Sequence, residues 1–274
     1  MTRSAPFAPE QDMPPLIAAA KEAARIILDA FGGELDHAVK ADASPVTESD
    51  QAAEAAIAAH LQKAFPGIPI VAEEAIAAGH VPPELGHRFF LVDPLDGTRE
   101  FVAGLPDFTV NIALIEDGHP VCGVILAPAY GELFLGSAAG AFKARLQRDG
   151  AWSEPRRIEA RLRPARPLAL ASRSHRTAAT NAYLAELPIE AVIPVGSSLK
   201  FCRIAEGAAD LYPCLGRTME WDIAAGHALL VAAGGAVTRL DGGEIAYGQR
   251  GRLELADFAN PHFVATGAIA SGAR

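Results

Sequence analysis

Phe89-Phe90-Leu91-Val92 runs directly into Asp93-Pro94-Leu95-Asp96-Gly97-Thr98, and no other stretch of the chain limits its fold as tightly. The apolar run reads as a buried strand. Two carboxylates three residues apart at its end, followed by Gly-Thr, suit a site that holds hard cations and a phosphate together. Mg²⁺ prefers oxygen ligands and is usually held by one or two carboxylates plus substrate phosphate. Pro94 stiffens the turn and removes a donor. Gly97 lets backbone approach a ligand closely. Thr98 can open a helix whose N–H groups point at an anion. The plainer reading is an Asp-Gly turn with a helix cap, so the weight falls on what accompanies this segment.

With 274 residues, half of them hydrophobic and 21% charged, the chain can form a substantial core, either one large domain or two smaller ones sharing a cleft. Its net charge of −9 argues against nucleic acid as a partner. It leaves a phosphate substrate open, because bound divalent ions reverse the local field. Cys122, Cys202 and Cys214 show no C-x-x-C spacing, which predicts neither a disulfide framework nor a zinc site and suits a reducing, cytoplasmic compartment. The N-terminus has no apolar h-region, so no signal peptide is expected. The longest apolar stretch, Ile223 to Val237, is too short and mixed for a membrane span and reads as a buried helix leading into a strand.

Residues 1–14 read as a loose tail. Helices are predicted over Leu16–Phe31, stopped by Gly32-Gly33, and over Asp50–Phe65, stopped by Pro66-Gly67. Short strands follow at Ile68–Ala72 and His87–Val92, then a hairpin turning at Asp117-Gly118, then strands at Glu132–Ser137 and Ala141–Leu146. The Arg- and Pro-rich segment Gln147–Pro167 is the best boundary between two subdomains, residues 15–160 and 161–274. Beyond it strands and helices alternate to His262–Thr266, which predicts a layered α/β fold.

Four more features point toward one site: Glu73-Glu74 at a strand end; Glu220-Trp221-Asp222 opening a helix; the segment Lys40 to Asp50; and Gly196-Ser197-Ser198-Leu199-Lys200. Singly, each has a structural explanation. Glu73 or Glu74 suits a solvated strand end, Asp222 suits a helix N-terminus, and Asp50 suits an N-cap with Glu54 near it. Lys200 suits a helix surface, and His175 a cap neighbour.

Order and spacing together are more specific. Glu73-Glu74, Asp93-Pro94-Leu95-Asp96-Gly97-Thr98 and Trp221-Asp222-Ile223-Ala224-Ala225-Gly226 resemble the signature of the inositol monophosphatase superfamily, Mg²⁺-dependent and lithium-sensitive phosphatases. The resemblance runs from about Ala19 to Ala268. The segment Lys40-x-Asp42-x-Ser44-Pro45-Val46-Thr47-x-x-Asp50 and Thr98-Arg99-Glu100-Phe101 are similar to the branch that hydrolyses adenosine 3′,5′-bisphosphate (PAP). Inositol phosphatases usually carry Asn where Glu100 stands. Phe108 to Ile115, Ser172-Arg173-Ser174-His175 and Gly196 to Cys202 resemble that branch as well.

The resemblance implies an αβαβα sandwich of the sugar-phosphatase type and phosphomonoester hydrolysis by metal-activated water with two or three Mg²⁺. It implies that Asp93 bridges two metals, that Glu73 and the Leu95 carbonyl complete one metal site, and that Asp96 and Asp222 complete the other. Gly97 and Thr98 N–H groups would hold the scissile phosphate. Asp50 would polarise the Thr98 hydroxyl to activate water, with Glu73 helping to place it, and Asp42 to Asp50 would lie on a loop closing over the site. Ser197, Ser198 and Lys200 are the candidates for the second phosphate, with Arg173 and His175 as additions and Arg217 near ribose or phosphate. The expected product pair is AMP and phosphate; the alternative is an inositol-1-phosphatase or broader sugar phosphatase. A homodimer is left open, as is peripheral attachment at the inner face of the cell membrane, a trait of some relatives.

Overall fold

A computed structural model describes residues 7–31, 38–39, 45–46 and 48–268. The first helix, α1 (Pro9–Ala30), starts earlier than expected. Proline-rich composition suggested a tail through residue 14, yet Pro9 sits at a first-turn position where its missing N–H is no loss, and the Asp12 carboxylate accepts the Ala8 N–H at 2.7 Å. Pro14 and Pro15 are carried inside the helix. Backbone at β1 (Ala38–Val39) and β2 (Pro45–Val46) forms a two-residue antiparallel ladder. Of the loop proposed to close over the site, residues 42–44 and 47 lie outside the described residues. Asp50 itself lies in the first turn of α2 (Glu48–Ala64), inside the helix.

Two sheets follow. The larger runs β3 (Ile70–Ala72), β4 (Arg88–Asp96), β5 (Thr109–Glu116), β6 (His119–Ala127), β7 (Glu132–Ser137), β8 (Gly140–Arg145) and β9 (Arg156–Ile158), neighbour to neighbour. Short helices α3 (Glu73–Ala77) and α4 (Thr98–Val102) leave the ends of β3 and β4. Only β3 and β4 are parallel, as expected of strands separated by a connecting segment; the rest is an antiparallel meander. The β5–β6 turn has φ of 49° at Asp117 and 80° at Gly118, the left-handed pair that two-residue hairpins favour.

The smaller sheet has the order β11-β10-β12-β14-β13, from β10 (Leu168–Ser172), β11 (Ala191–Val195), β12 (Leu211–Cys214), β13 (Ala236–Arg239) and β14 (Phe263–Thr266). Helix α5 (Ala178–Ala185) follows β10, α6 (Leu199–Ala205) follows β11, and α7 (Glu220–Ala232) follows β12. The change of sheet falls between Ile158 and Leu168.

Side-chain parity on the central strands sets the layers. Phe90, Val92, Ile112, Leu114 and Val124 pack with Leu16, Ile27, Ile57 and Leu61 of α1 and α2. Phe89, Leu91, Ala113, Ile115 and Ile125 point the other way, into a core shared with Phe201, Ile204, Ile223, Leu229 and Phe263. On the far face of the small sheet, Ala169, Leu211 and Val264 meet Leu184 of α5. The result is an αβαβα sandwich with α6 and α7 as its middle layer.

Helix α7 is apolar all round because it is covered on both sides. Gly123 and Gly136 face each other across β6 and β7. A Cβ on Gly123 would stand 2.4 Å from the Ala225 carbonyl oxygen, and one on Gly136 2.4 Å from Leu229 Cα. On the opposite side of the helix, a Cβ on Gly226 would meet the Phe201 ring at 2.4 Å. These glycines let α7 approach sheet and helix backbone-close, and so fix where its N-terminus delivers Asp222.

Candidate active site

Three elements bring carboxylates together. Parallel pairing of β3 with β4 sets Ala72 opposite Val92, so the next residues, Glu73 and Asp93, are neighbours. Asp93 keeps the parity of Phe89 and Leu91 and therefore faces α7. Asp222 is the third residue of α7, where its carboxylate accepts the Met219 N–H at 2.8 Å. The helix N-terminal place foreseen for Asp222 and a place in the cluster therefore coexist, and the structure adds the cap. Glu73, Asp93 and Asp222 each place one carboxylate oxygen within 4.8 Å of the others.

Asp96 joins them through an irregularity. In a regular strand, residues three apart point to opposite faces. Asp93 pairs with Asn111 but Asp96 pairs with Thr109, so β4 carries one extra residue between them. Such a bulge re-aims the following side chains. Leu95 turns into the α1/α2 core, 2% exposed, and Asp96 turns to the cavity. The sequence placed Asp93 to Asp96 in a turn after the strand; they are the bulged end of the strand itself. Pro94 suits such a position, since it has no N–H to offer the ladder.

The cavity measures about 360 Å³, and its lining includes Glu73, Asp93, Leu95, Asp96, Gly97, Thr98, Ser197, Lys200, Arg217 and Asp222. Gly97 has a φ of 91°, and a Cβ there would come 2.8 Å from the Asp107 carbonyl oxygen, so glycine is required. Thr98 begins α4 as expected.

Three expected residues are placed differently. Asp50 is 1% exposed and is not among the lining residues. The Asp50–Thr98 activating pair is not made, because the one hydroxyl proton of Thr98 goes to the Leu95 carbonyl at 3.1 Å. Ser198 is also absent from the lining. It lies beneath the cavity, donating to the Asp222 carbonyl at 2.7 Å and accepting from Asn111 Nδ2 at 3.0 Å, so it supports the acidic cluster and does not face a substrate. Arg173 is an ion-pair partner of Asp107 and is likewise absent from the lining. Lys200 lines the cavity but is buried; its Nζ donates to the Ser197 carbonyl at 2.5 Å and lies 5.0 Å from the centre of the Tyr212 ring. Arg217 and His175 stand on the exposed rim.

Electrostatically the floor is strained by its own charge. Burial, then the charges of Asp96 and Glu73, push the Asp222 carboxyl well above the usual range. Burial pushes Asp96 up to about 6 against the pull of Lys200, and burial lowers Lys200. The donor set is all oxygen, concentrated and negatively charged. That fits a hard divalent cation, which relieves the repulsion the cluster creates.

Sequence reasoning missed the supports. Glu54 on α2 accepts the Glu74 N–H at 2.7 Å and the Ala75 N–H at 2.8 Å, which ties down the start of α3 and with it Glu73. Its spacing of four from Asp50 placed both on one helix face, a usable signal. Asn111, a polar residue in an apolar strand, was another. Asn260 donates to the Thr218 hydroxyl at 3.1 Å and to the Met219 carbonyl at 2.5 Å, fixing the entry to α7; nothing local in the sequence marks it. Glu54→Ala is expected to raise the Mg²⁺ concentration at half activity by about tenfold or more, the usual size of an outer-shell loss. A Mg²⁺ titration of activity checks this.

Residues 9–269 match the inositol monophosphatase family, and the chain belongs to that family. Its enzymes are metal-dependent, which the acidic cluster matches. Within it, the chain is 41% identical over 250 residues to CysQ of Salmonella typhimurium, a 3′(2′),5′-bisphosphate nucleotidase, spanning 90% of this chain and 96% of that one. CysQ of Escherichia coli K12 is 40% identical over 247 residues, spanning 89% and 95%. Among solved structures, CysQ from Bacteroides thetaiotaomicron aligns with a TM-score of 0.76 at 35% identity, covering 93% of this chain and 96% of that one. An inositol monophosphatase (IMPase) from Thermotoga maritima aligns at 0.73 with 25% identity, covering 94% and 92%.

Proposed function

We infer that this chain is a Mg²⁺-dependent 3′(2′),5′-bisphosphate nucleotidase that hydrolyses PAP to AMP and phosphate. The observation that carries the reading is the convergence of Glu73, Asp93 and Asp222 beside the Gly97-Thr98 turn in one cavity. Similarity to CysQ proteins over nine-tenths of the chain supports the choice of substrate.

Glu73, Asp93, Asp96, Asp222 and the Leu95 carbonyl are the groups that would hold two or three Mg²⁺. Bound divalent ions neutralise phosphate oxygens and lower the pKa of water. The chain's own residues do the rest. Gly97 and Thr98 present backbone N–H groups to the scissile phosphate. Glu73 and the Thr98 hydroxyl, both facing the cavity, orient the attacking water, and the Glu73 carboxylate receives its proton. Asp50 lies buried in the first turn of α2, outside the cavity lining. Ser197 and Lys200, with Arg217 on the rim, bind the second phosphate and ribose. Residues 15–160 supply most of the metal site and residues 161–274 complete it with Asp222. Cytoplasmic residence, peripheral attachment at the inner membrane face and homodimer formation go with this reading as expectations for fractionation and light-scattering measurements.

Phosphate release from PAP, inositol 1-phosphate and fructose 1,6-bisphosphate, each with Mg²⁺, tests the assignment. PAP is expected to have the highest kcat/KM, and preference for either of the others would contradict it.

A further inference from the structure

The loop joining α4 to β5 carries a buried carboxylate that the chemistry above leaves unused. Asp107 is 5% exposed. Its Oδ1 accepts the Tyr130 hydroxyl at 2.6 Å. Its Oδ2 accepts three donors: Arg173 Nη2 at 2.7 Å, Arg173 Nε at 3.2 Å and the Gly196 N–H at 3.2 Å. Burial alone would raise its pKa, but these donors outweigh burial and hold the carboxyl below its ordinary value, so it is ionised.

The partners fall on two loops of the small sheet. Arg173 belongs to the loop after β10, and Gly196 to the turn between β11 and α6. Each loop lines the cavity: His175 in the first, next to Ser172 at the end of β10, and Ser197 in the second, next to Lys200 in α6. Asp107, Arg173, Gly196 and Tyr130 are not in the lining. The backbone of Asp107 meanwhile lies against Gly97, where a Cβ would meet the Asp107 carbonyl oxygen at 2.8 Å. One residue therefore touches the phosphate-binding turn of the large sheet with its backbone and both small-sheet loops with its side chain.

The turn it holds is strained. Ser197, next to the amide that Asp107 accepts, has a φ of 48°, a left-handed conformation that non-glycine residues adopt only when surroundings impose it. Gly196 has no room for a side chain; a Cβ would come 2.6 Å from the Asp107 carbonyl oxygen and 2.8 Å from its Cβ. A second tie runs parallel, with the Ser174 hydroxyl donating to Glu100 at 2.6 Å.

We propose that Asp107 is a positioning residue that clamps the two small-sheet loops onto the metal-bearing half and so sets the grip on the part of the substrate remote from the scissile phosphate. The choice of PAP as probe rests on the nucleotidase reading; the clamp itself does not.

Two measurements on Asp107→Asn test it. Asparagine keeps one acceptor oxygen and loses the charge that Arg173 needs. KM for PAP is expected to rise about tenfold or more, the usual scale for a hydrogen bond to a charged group. The Mg²⁺ concentration at half activity should move by a smaller factor than KM, because the clamp reaches the carboxylate cluster only indirectly, through Ser198. Amide hydrogen exchange over residues 196–198 should quicken by about tenfold as the strained turn is released. Tyr130→Phe removes a single donor from the other oxygen and should move KM and exchange the same way by a smaller factor; it decides the matter if Asp107→Asn does not fold. Unchanged exchange in 196–198, or a shift in Mg²⁺ requirement with KM unmoved, would overturn the clamp. A wild-type enzyme inactive on PAP would instead remove the substrate reading, and the exchange result would still decide the clamp.

Discussion

Asp222→Asn is expected to lose PAP hydrolysis by roughly a thousandfold, because removing a ligand forfeits several kcal/mol of charge stabilisation and each ~1.4 kcal/mol is a decade in rate. The same variant should melt higher than wild type in the absence of divalent ions at pH 7.5. Asn still offers an oxygen to the Met219 N–H, so the helix cap survives. What disappears is a buried charge held near Asp96 and Glu73, the repulsion that raises the Asp222 pKa after burial itself. At ~2–4 °C per kcal/mol for a chain of this size, a gain of a few degrees is expected. Added Mg²⁺ should raise the wild-type Tm, by ~2.7 kcal/mol of stability at a hundred times Kd, and should raise the variant's less.

The pH dependence of the ion-free wild type follows from the same groups. In the folded state Asp96 holds its proton up to about 6, against 3.8 ordinarily. The folded state thus binds more protons than the unfolded state between those values, and stability falls as pH rises through that window. Ion-free protein should melt higher at pH 5 than at pH 7.5, and the difference should shrink when Mg²⁺ is present. A mutant with lost activity and lowered ion-free stability would indicate that the carboxylate serves the fold alone.

Gly136→Val is the second large effect. A Cβ at this position would lie 2.4 Å from Leu229 Cα, a backbone atom that cannot rotate away. Either α7 lifts off the sheet or the protein fails to fold, and a loss of about 3 kcal/mol or more is expected. Any folded fraction should also be catalytically weak, since lifting α7 carries Asp222 away from Glu73 and Asp93. Val231→Ala, on the same helix at 54% exposure, should stay within about 0.5 kcal/mol of wild type. Thermal melts of the three proteins, with activity measured on the soluble fraction, check both points. Wild-type stability in Gly136→Val would show that α7 has freedom that the packing denies.

Much of this architecture was legible in the residues. The strand Glu132–Ser137 and the hairpin turn at Asp117-Gly118 follow from local pattern, because apolar runs bounded by Gly and Asp fix short elements. The convergence of Glu73, Asp93 and Asp222 was legible because each stands in a segment that resembles the family signature. The failures came where tertiary packing overrode local signal. Helix α1 begins at Pro9 because early prolines suit a first turn and Met13 and Leu16 reach the core. The β4 bulge was invisible because it is defined by pairing with β5, not by composition. Ser198 looked like a phosphate contact because a helix start offers donors to an anion; here its side chain is 1% exposed beneath Asp222. The Gly123–Gly136 contact could not be read at all, since it exists only once β6 and β7 are paired and α7 is laid across them.

Crystals soaked in Mn²⁺, with anomalous scattering recorded at the manganese edge, test the central claim most directly. The account predicts at least one strong peak enclosed by the carboxylates of Glu73, Asp93 and Asp222, absent from crystals of Asp222→Asn. Manganese bound elsewhere, with that triangle holding only solvent, would contradict it.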